Sequence, residues 1–313
     1  MKTPERLYKY RTFSDRTLSS LVEDQLFFAD PSTFNDPLDT KPGVEIDLAE
    51  DQLETILIKL IEHRVHGELS AAASTIRYRG PKTRDHIMKL SRRQAEEIIS
   101  DIRYNATDPD LRLENPVAFL LGQAIQQELL RRYDGGIVSL AERNNCPLMW
   151  SHYGDQHRGI AIGYSLPEQA SNKIFKVKYG GSSMVATSKV LAMLDGDRGA
   201  RQAVDDAVLL KKAQDWRYEK EWRLIGRRGA QDSPIELEEV VFGMRCPLAV
   251  KYTVVRALED RPSALKFYEI RRKSDTFLLN RYALDVDEML ASLPRRSLSL
   301  YEAFESLDRD SSS

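Results

Sequence analysis

The amino-acid sequence predicts a fold of the α+β class. Strand-like segments lie on both sides of a long stretch with helical periodicity, and strands and helices do not alternate as in a doubly wound sheet. The chain has 313 residues, 42% hydrophobic and 8% aromatic, which is enough for a substantial core. We predict one α+β domain over residues 1–284, with a helical insertion at about 45–134, and a C-terminal helix and disordered tail over 285–313.

The N-terminal part is predicted to contain two strands and a loop. Apolar and aromatic residues favour strands from Leu7 to Phe13 and from Leu26 to Ala29. The segment DPSTFNDPLD that follows is rich in turn-forming residues, so we expect an irregular loop there.

The insertion is predicted to contain three helices. Asp47 and Glu50 have the spacing of a capping box, and five apolar residues follow at helical spacing: Leu53, Ile56, Leu57, Leu60 and Ile61. A second helix is predicted from Arg84 to Tyr104. A third is predicted to begin at Asn115 and Pro116, a cap followed by proline, and to end before Gly135.

Strand signals return after the insertion. They are followed by a helix that is predicted to end near Trp216, and a hairpin is predicted over 266–284, before a helix that begins near Asp285. The predicted strands of this part are GIVSLA, GIAIGY, IFKVKYG, EKEWRLIG, EEVVFG and YTVVRAL.

Charge and composition exclude several classes of protein. Lys and Arg number 46 and Asp and Glu 48, a net charge of −2, so no global field attracts nucleic acid or membrane. No apolar run is long enough to cross a bilayer and no signal segment is evident, so we expect a cytoplasmic protein without a membrane partner. Cys146 and Cys246 match no zinc-site spacing and are expected to be buried free thiols.

The segment MWSHYGDQHRGIAIGY, residues 149–164, combines polar and aromatic residues with a strand. Strand alternation places Gly159, Ala161 and Gly163 on one face, which is almost bare. Such a face is typical of a strand that packs closely on a helix or is approached by a ligand. Four polar residues are predicted to lie at the entrance of this strand: Ser151, His152, Tyr153 and His157.

The segment WRYEKEWRLI, residues 216–225, contains a pair of carboxylates. If residues 218–224 are extended, Glu219, Glu221 and Arg223 share one strand face. Carboxylates this close raise each other's pKa, which suits acid/base or cation-stabilising chemistry. The alternative is an exposed edge strand on which both glutamates pair with nearby arginine and lysine.

The N-terminal part offers a third group of candidate site residues. Arg11, at a strand end, is suited to a bidentate grip on phosphate or carboxylate. Asn35 and Asp36 precede Pro37 in a turn that presents polar side chains. The alternatives are a surface arginine and a simple turn.

Five segments occur in a characteristic order: LYKYR, LFFADPSTFNDPLD, LMWSHYGDQHRGIAIGY, WRYEKEWRLI and EEVVFG. In this order they resemble a widespread bacterial family classed as a domain of unknown function. The resemblance extends over residues 7–243, except for the helical segment at about 45–133. It implies no established activity.

A second resemblance is to the arginine-serine-glutamate ADP-ribosyltransferases. An arginine on an early strand, a serine at a second strand and a later Glu-x-Glu correspond here to Arg11, Ser151, and Glu219 with Glu221. The motif SHY differs from the usual Ser-Thr-Ser. The resemblance implies a pair of small curved β-sheets around a cleft lined by Arg11, Ser151 and Glu221.

The second resemblance implies that NAD is the substrate. Glu221 would stabilise the oxocarbenium-like ribose, oriented by Ser151, and Glu219 would position the acceptor. Arg11 would hold the diphosphate. The other residues expected to contact NAD are Tyr10, Asn35, Asp36, Trp150, His152, Tyr153 and His157, with Trp150 or Tyr153 stacking on nicotinamide. The acceptor would be nucleic acid or protein, by analogy with a toxin or phage-defence effector.

Two alternatives remain open. His152 and His157, with Asp36 or Glu219, form a possible ligand set for a metal-dependent phosphodiesterase, but the histidine spacing fits neither a helix nor a strand, so no metal is expected. The motifs are also compatible with a binding module whose helical segment contacts a partner. Four basic runs, RRQ, RRY, RR at 227–228 and RRK at 271–273, would form a nucleic-acid track only if the fold brings them together.

Overall fold

The computed structural model describes residues 4–77, 80, 82–133, 135–295 and 297. Within these residues the chain has an α+β fold. It divides into two compact units. Unit 1 consists of Met1–Leu26, Ala141–Ala170 and Asp232–Ser313, and unit 2 consists of Phe27–Leu140 and Ser171–Gln231. The single domain expected over residues 1–284 stays a prediction.

The strands of the described chain are short. They are β1 (Arg6–Arg11), β2 (Gln25–Phe28), β3 (Gly43–Glu45), β4 (Gly136–Ala141), β5 (Ile160–Ser165), β6 (Ile174–Lys176), β7 (Lys178–Tyr179), β8 (Met184–Ala186), β9 (Lys211–Lys212), β10 (Glu221–Gly226), β11 (Gly229–Asp232), β12 (Glu236–Phe242), β13 (Lys266–Arg272) and β14 (Leu279–Ala283).

The longest helices lie in unit 2. The helices of the described chain are α1 (Asp15–Val22), α2 (Glu50–Thr75), α3 (Thr83–Asn105), α4 (Pro116–Arg132), α5 (Pro147–His152), α6 (Thr187–Leu194), α7 (Arg198–Leu209), α8 (Leu248–Ala257) and α9 (Val286–Ala291). No helix in the part of the chain that the structure describes combines the length and apolar character needed to cross a bilayer.

Unit 1 is built on a mixed sheet with the strand order β14-β13-β12-β5-β1. β12 and β13 run parallel, whereas the other neighbours in this series are antiparallel. All residues of β5 except Ser165 are buried, because both faces of this central strand are covered. The hairpin predicted over 266–284 is confirmed as β13 and β14.

Buried charged side chains pack against the bare face of β5 at Gly163. Fully buried Glu239 on β12 bonds Arg6, Tyr8 and Arg281, and we call these four residues the Glu239 cluster. Burial and the Glu239 carboxylate raise the pKa of Tyr8 to about 12. A Cβ atom on Gly163 would lie 2.6 Å from Glu239 Cγ and 3.0 Å from Tyr8 Cε1. The expectation of a helix or a ligand against this face is wrong at Gly163, because the Glu239 cluster occupies the space.

Unit 2 contains the helical insertion and its own core. The insertion helices are confirmed as α2, α3 and α4, and the five apolar residues predicted for α2 are all buried. Asn115 caps α4 by accepting a hydrogen bond from Ala118 N at 3.0 Å. The predicted capping box is wrong, since α2 begins at Glu50 without a side-chain cap and Asp47 instead bonds Thr187 and Ser188.

Two other element predictions are corrected. The segment YTVVRAL forms the end of helix α8 and its cap residue rather than a strand, because a short apolar run fits a helix as well as a strand. Val254 and Val255 are buried in the helix, and Leu258 is buried just after it. IFKVKYG is not one strand, since it is interrupted at Val177 between β6 and β7. The predicted C-terminal helix is confirmed as α9, and the predicted disordered tail lies outside the described residues.

Candidate functional site

Five charged residues form a buried network in unit 2. We call them the Lys212 cluster: Asp39, Lys212, Glu219, Glu221 and Arg223. None of these side chains is more than 6% exposed. Burying charges is costly unless they are paired, so the geometry of the pairs decides what the cluster can do.

The two glutamates reach the cluster from different elements. Glu219 ends a 3₁₀ turn over Gln214–Glu219, and Glu221 begins β10. Between them Lys220 has left-handed backbone angles, with φ 46°. The expectation of one extended segment over 218–224 is therefore wrong, because the chain turns at Lys220. The helix predicted to end near Trp216 is likewise replaced, since α7 ends at Leu209 and Trp216 lies in the 3₁₀ turn.

Lys212, on β9, links both glutamates. Its Nζ donates to Glu219 Oε2 at 2.7 Å and to Glu221 Oε2 at 3.2 Å. It also lies 3.5 Å from Asp39 Oδ2. The two carboxylates thus come together through a shared cation rather than through strand alternation.

Arg223 holds the opposite side of the cluster. Its Nε donates to Glu221 Oε1 at 2.9 Å, and its Nη2 donates to both oxygens of Asp39 at 2.8 and 2.7 Å. Nη1 donates to the Leu209 carbonyl at 2.7 Å. The planar guanidinium is thereby fixed on three sides, as suits a buried arginine.

The cations keep Glu221 ionised. Burial alone would raise its pKa, but Arg223 and Lys212 outweigh burial and lower the pKa to about 2. The expectation that the paired carboxylates raise each other's pKa is therefore wrong for Glu221. Burial alone would lower the pKa of Lys212, whereas Glu221 and Glu219 raise it, so the Lys212 ammonium stays charged at neutral pH.

Aromatic residues surround the cluster. The Lys212 Nζ lies 5.0 Å from the ring centroid of Trp216, and the Arg223 guanidinium 5.6 Å from that of Phe34. The Tyr179 hydroxyl accepts a hydrogen bond from the Glu221 backbone N–H at 2.7 Å. Asp36, from the predicted FNDP turn, accepts from Trp216 Nε1 at 2.8 Å.

The FNDP turn is confirmed as a turn with a structural contact. Asp36 also accepts from Leu38 N at 2.9 Å, so this carboxylate is engaged locally and with Trp216. Asn35, beside it, is exposed. Of these two predicted NAD contacts, Asn35 alone presents an exposed side chain.

In unit 1, Trp150 and Tyr10 are core residues. Trp150 has no exposed surface, and its Nε1 donates to the Asn144 carbonyl at 2.7 Å. Tyr10 packs edge-on against it with centroids 5.0 Å apart and donates to the Arg143 carbonyl at 2.7 Å. The expectation that Trp150 stacks on nicotinamide is wrong for this structure, because neither ring face is open. Tyr10 is likewise only 6% exposed.

Ser151 and His152 lie at the end of helix α5. The expectation that Ser151 begins a strand is wrong, because β5 starts at Ile160 and Ser151 is helical. Its hydroxyl donates to the Pro147 carbonyl at 3.0 Å, and its side chain is exposed. His152 is also exposed, with its ring 6.2 Å from that of half-buried Tyr153. Ser151, His152 and Tyr153 thus all present some surface to solvent.

His157 lies in a strained loop. Asp155, Gln156 and His157 have consecutive positive φ angles of 50°, 53° and 69°. The imidazole stacks on Trp150 at a centroid distance of 6.1 Å, and its buried Nδ1 has no hydrogen-bond partner among the described residues. Burial, followed by nearby Arg245, lowers the pKa of His157 and so favours the neutral ring.

Arg11 is the last residue of β1. It is half-buried, and none of the carboxylates in the described ranges forms an ion pair with it. Burial lowers its pKa, and Tyr164 and Arg16 lie near its charge. A half-buried arginine without a carboxylate partner is suited to bind an anionic group of a ligand.

In the described part of the chain, no group of three or more His, Cys, Asp or Glu side chains is arranged to hold a metal ion. Cys146 and Cys246 are confirmed as buried free thiols, and burial raises the pKa of the Cys246 thiol to about 11.

Sequence reasoning missed two members of the Lys212 cluster. Lys212 belongs to no motif, and no local pattern marks it. Asp39 ends the FNDPLD segment, but its contact with Arg223 spans 184 positions in the sequence. Arg223 was recognisable from its alternation with Glu221, which the structure preserves on β10.

The comparisons with known proteins give one family match. Residues 149–224 match the family model described as Protein of unknown function (DUF2971). The matched segment begins just before Trp150 and ends just after Arg223, so it includes four of the five residues of the Lys212 cluster. No curated protein and no solved structure matches the chain.

Proposed function

We propose that the chain is an NAD-dependent enzyme of the ADP-ribosyltransferase type, with the corresponding fold, that transfers ADP-ribose to nucleic acid or protein. The observation that carries the proposal is the ionised Glu221 carboxylate, held between Arg223 and Lys212. Cleavage of the nicotinamide bond produces an oxocarbenium-like ribose, and a fixed carboxylate stabilises that cation.

Glu219 supports the proposal through its position. It shares the Lys212 ammonium with Glu221, so a second carboxylate lies beside the first. We assign Glu219 the positioning or deprotonation of the acceptor. Orientation of Glu221 is assigned to Arg223 and Lys212, which bond its two oxygens.

We assign to Arg11 the binding of the NAD diphosphate. Its half-buried guanidinium has no carboxylate partner in the part of the chain that is described, and the diphosphate of NAD would supply the missing charge. Tyr153, half-buried beside exposed His152, is the remaining candidate for stacking on nicotinamide.

The proposal requires one rearrangement. Glu221 is only 3% exposed, so the ribose 2′-hydroxyl reaches its carboxylate only after a neighbouring side chain moves. Lys212 is the side chain that we expect to move, because it is bound through a single nitrogen whereas Arg223 is fixed through three. An intracellular modifier of nucleic acid or protein would suit a toxin or phage-defence effector.

The test is incubation with labelled NAD, alone and with cell lysate or nucleic acid. We expect Glu221→Gln to lower kcat by about 100-fold or more while NAD affinity changes little. Glu219→Gln is expected to abolish transfer and to leave slow NAD hydrolysis. Arg11→Lys is expected to raise KM, since a point charge replaces the guanidinium fork.

Two matched variants control for folding and charge. Glu239→Gln removes an equally buried, ion-paired carboxylate outside the Lys212 cluster, so it should keep kcat per folded molecule. Arg16→Lys is the control for Arg11→Lys, because it makes the same arginine-to-lysine change at a nearby position. It should leave the KM for NAD unchanged. The proposal is wrong if NAD is neither bound nor consumed, or if Glu221→Gln is as active as the native chain.

A binding module is the second candidate function. It is favoured by the saturation of the Lys212 cluster, in which both oxygens of Asp39 and of Glu221 are already bonded to protein cations. In that case the cluster is structural, and Glu221→Gln lowers thermal stability in a chain that never consumes NAD. Measuring Tm together with NAD turnover separates the two functions.

A further inference from the structure

Unit 2 carries a second group of basic residues, which shares no member with the Lys212 cluster. We call it the His63 cluster: His63 and His66 on α2, Arg132 at the end of α4, and Arg201 on α7. His63, His66 and Arg201 are exposed and Arg132 is half-buried. The Lys212 cluster and the proposed NAD chemistry use none of these residues.

Hydrogen bonds between helices bring α2 and α4 together at this point. Arg64 Nε on α2 donates to Glu128 Oε2 on α4 at 2.7 Å. Arg132 follows Glu128 by one helical turn and therefore lies on the same side of α4. His63 precedes Arg64 on α2, and it lies close enough to Arg132 for the charge of that arginine to lower the pKa of the imidazole.

A second contact joins α4 to α7. The Tyr133 hydroxyl, next to Arg132, donates to Asp205 on α7. Arg201 precedes Asp205 by one helical turn, so it lies on the same side of α7. Burial and Asp205 raise the pKa of the Tyr133 hydroxyl. The positive charges of Arg132 and Arg201 oppose that rise, so both arginines lie close to Tyr133.

The nearby carboxylates are already engaged with other groups. Glu128 pairs with Arg64 and Arg131, and Asp205 bonds Tyr133. No carboxylate within the described ranges pairs with any residue of the His63 cluster. Partial burial, and then Arg132, His66 and Arg201, lower the pKa of His63, as expected for a group among cations. The cluster therefore lacks a compensating anion.

A groove adjoins the His63 cluster. It has a volume of about 760 Å³ and is lined by α2, α3 and the end of α6. Its cations, Lys59 and Arg92, are paired with Asp195 and Glu62. Met88, 55% exposed, and Leu194 add apolar surface, and the lining also includes His63 and His66.

We propose that the groove and the His63 cluster together bind a phosphate-bearing ligand of the nucleotide type. The groove falls within the volume of ligand pockets, about 300–1,000 Å³, and its apolar surface suits a planar base. The two cations that line the groove are already paired with carboxylates, so they are not expected to bind phosphate. Arg132 and Arg201, in the adjoining His63 cluster, provide two guanidinium groups that can bind it. His63 belongs to both parts and connects them.

The source of the phosphate is either a nucleic acid strand or a free nucleotide. Two of the basic runs found in the sequence, RRQ and RRY, contribute Arg92 to the groove and Arg132 to the cluster. Each run therefore contributes one arginine to the proposed site. This inference does not rest on the proposed enzymatic function, because it uses only the helical part of unit 2.

The test uses the full chain and labelled single-stranded oligonucleotides of about 12 nucleotides, a length within the range that single-strand sites cover. Fluorescence anisotropy gives Kd as salt is varied, and adenosine monophosphate and inorganic pyrophosphate serve as competitors. We expect the double variant Arg132→Gln and Arg201→Gln to bind at least about tenfold more weakly. The slope of log Kd against log salt concentration should fall by about 1.4, because two phosphate contacts are lost.

The matched control is Arg93→Gln with Arg256→Gln. Both arginines are exposed and paired with a glutamate on their own helix or just beyond it, so the control removes the same charge from elsewhere. Its Kd should change less than about twofold. If the double variant is unstable, Arg201→Gln alone suffices, because Arg201 is exposed on α7.

The outcomes separate the sources of phosphate and test the site. Salt-dependent oligonucleotide binding that requires Arg132 and Arg201 supports the site with nucleic acid as ligand. Binding of adenosine monophosphate or pyrophosphate alone, lost in the same variant, supports it with a free ligand. The proposal is overturned if none of the three probes binds, or if the double variant and its control bind equally well.

Discussion

Arg223 donates from one guanidinium nitrogen to both carboxylate oxygens of Asp39, although the two residues are 184 positions apart in the sequence. The same side chain bonds Glu221, and it has no exposed surface. Arg223 thus connects Glu221 on β10 directly to Asp39 after the FNDP turn.

Replacing Arg223 with methionine should destabilise the protein strongly. The variant keeps a long side chain but leaves three buried carboxylates with Lys212 as their remaining cluster cation. Breaking a buried ion pair in this way typically costs about 3 to 5 kcal/mol of unfolding free energy. Urea unfolding measures the loss. Arg93→Met, at a side chain that is 77% exposed, should cost less than about 0.5 kcal/mol, and an equal loss in both variants would contradict a central role for Arg223.

The low pKa of Glu221 should make the free energy of unfolding depend on pH in the acid range. A folded-state pKa of about 2, against an ordinary value of 4.5, means that the unfolded chain takes up the proton first. The stabilisation is present above about pH 4.5 and is lost as pH falls towards about 2, with a total of about 3 kcal/mol. Glu221→Gln should lack this part of the pH dependence. Unfolding free energies measured from about pH 6 to about pH 3 should therefore converge for the two chains, and parallel profiles would contradict the assignment.

A methyl group at Gly163 should disturb the Glu239 cluster. The added Cβ would meet Glu239 Cγ at 2.6 Å, in a side chain that Arg6, Tyr8 and Arg281 hold in place. Overpacking of this kind typically costs about 1 to 3 kcal/mol. Gly67→Ala in α2 is the control, because no atom lies within 4 Å of its added Cβ, and alanine favours a helix by about 0.5 to 1 kcal/mol. Thermal unfolding should move Tm in opposite directions for the two variants.

Tyr179 should stabilise the start of β10. Its hydroxyl is the acceptor for the Glu221 backbone N–H, at 2.7 Å, and phenylalanine would leave that donor without a partner. The expected cost is about 1 to 2 kcal/mol. Tyr104→Phe, at a ring that is 78% exposed, should change stability by less than about 0.5 kcal/mol. Hydrogen exchange at the Glu221 amide provides a local measure, and unchanged protection in Tyr179→Phe would refute this role.

Helices with strong local signals were predictable from the sequence. The third insertion helix, α4, has a capping asparagine, a proline at its first position and apolar residues at helical spacing, and all three signals act within a few residues of each other. The segment 252–258 lacked such signals. Its short apolar run fits either element, and in the folded chain it forms the buried face of helix α8 through Val254 and Val255.

The candidate site was predictable only in part. The pair Glu219 and Glu221 was correctly recognised as unusual, but the way the two residues meet was not, because it depends on the left-handed conformation of Lys220. Trp150 shows the same limit. An aromatic residue in a polar motif is compatible with a ligand contact or with the core, and packing against Tyr10 and His157 placed it in the core.

The sequence by itself determined the α+β class, the three insertion helices and the C-terminal hairpin, since periodicity, caps and turn residues act over short distances along the chain. Only the tertiary structure decided that Glu221 is ionised and buried and that Gly163 accommodates Glu239. It also decided that Arg132 and Arg201 lie near His63. The physical reason is that charge pairing and packing depend on distances in space, and the fold sets those distances between residues that no local pattern relates.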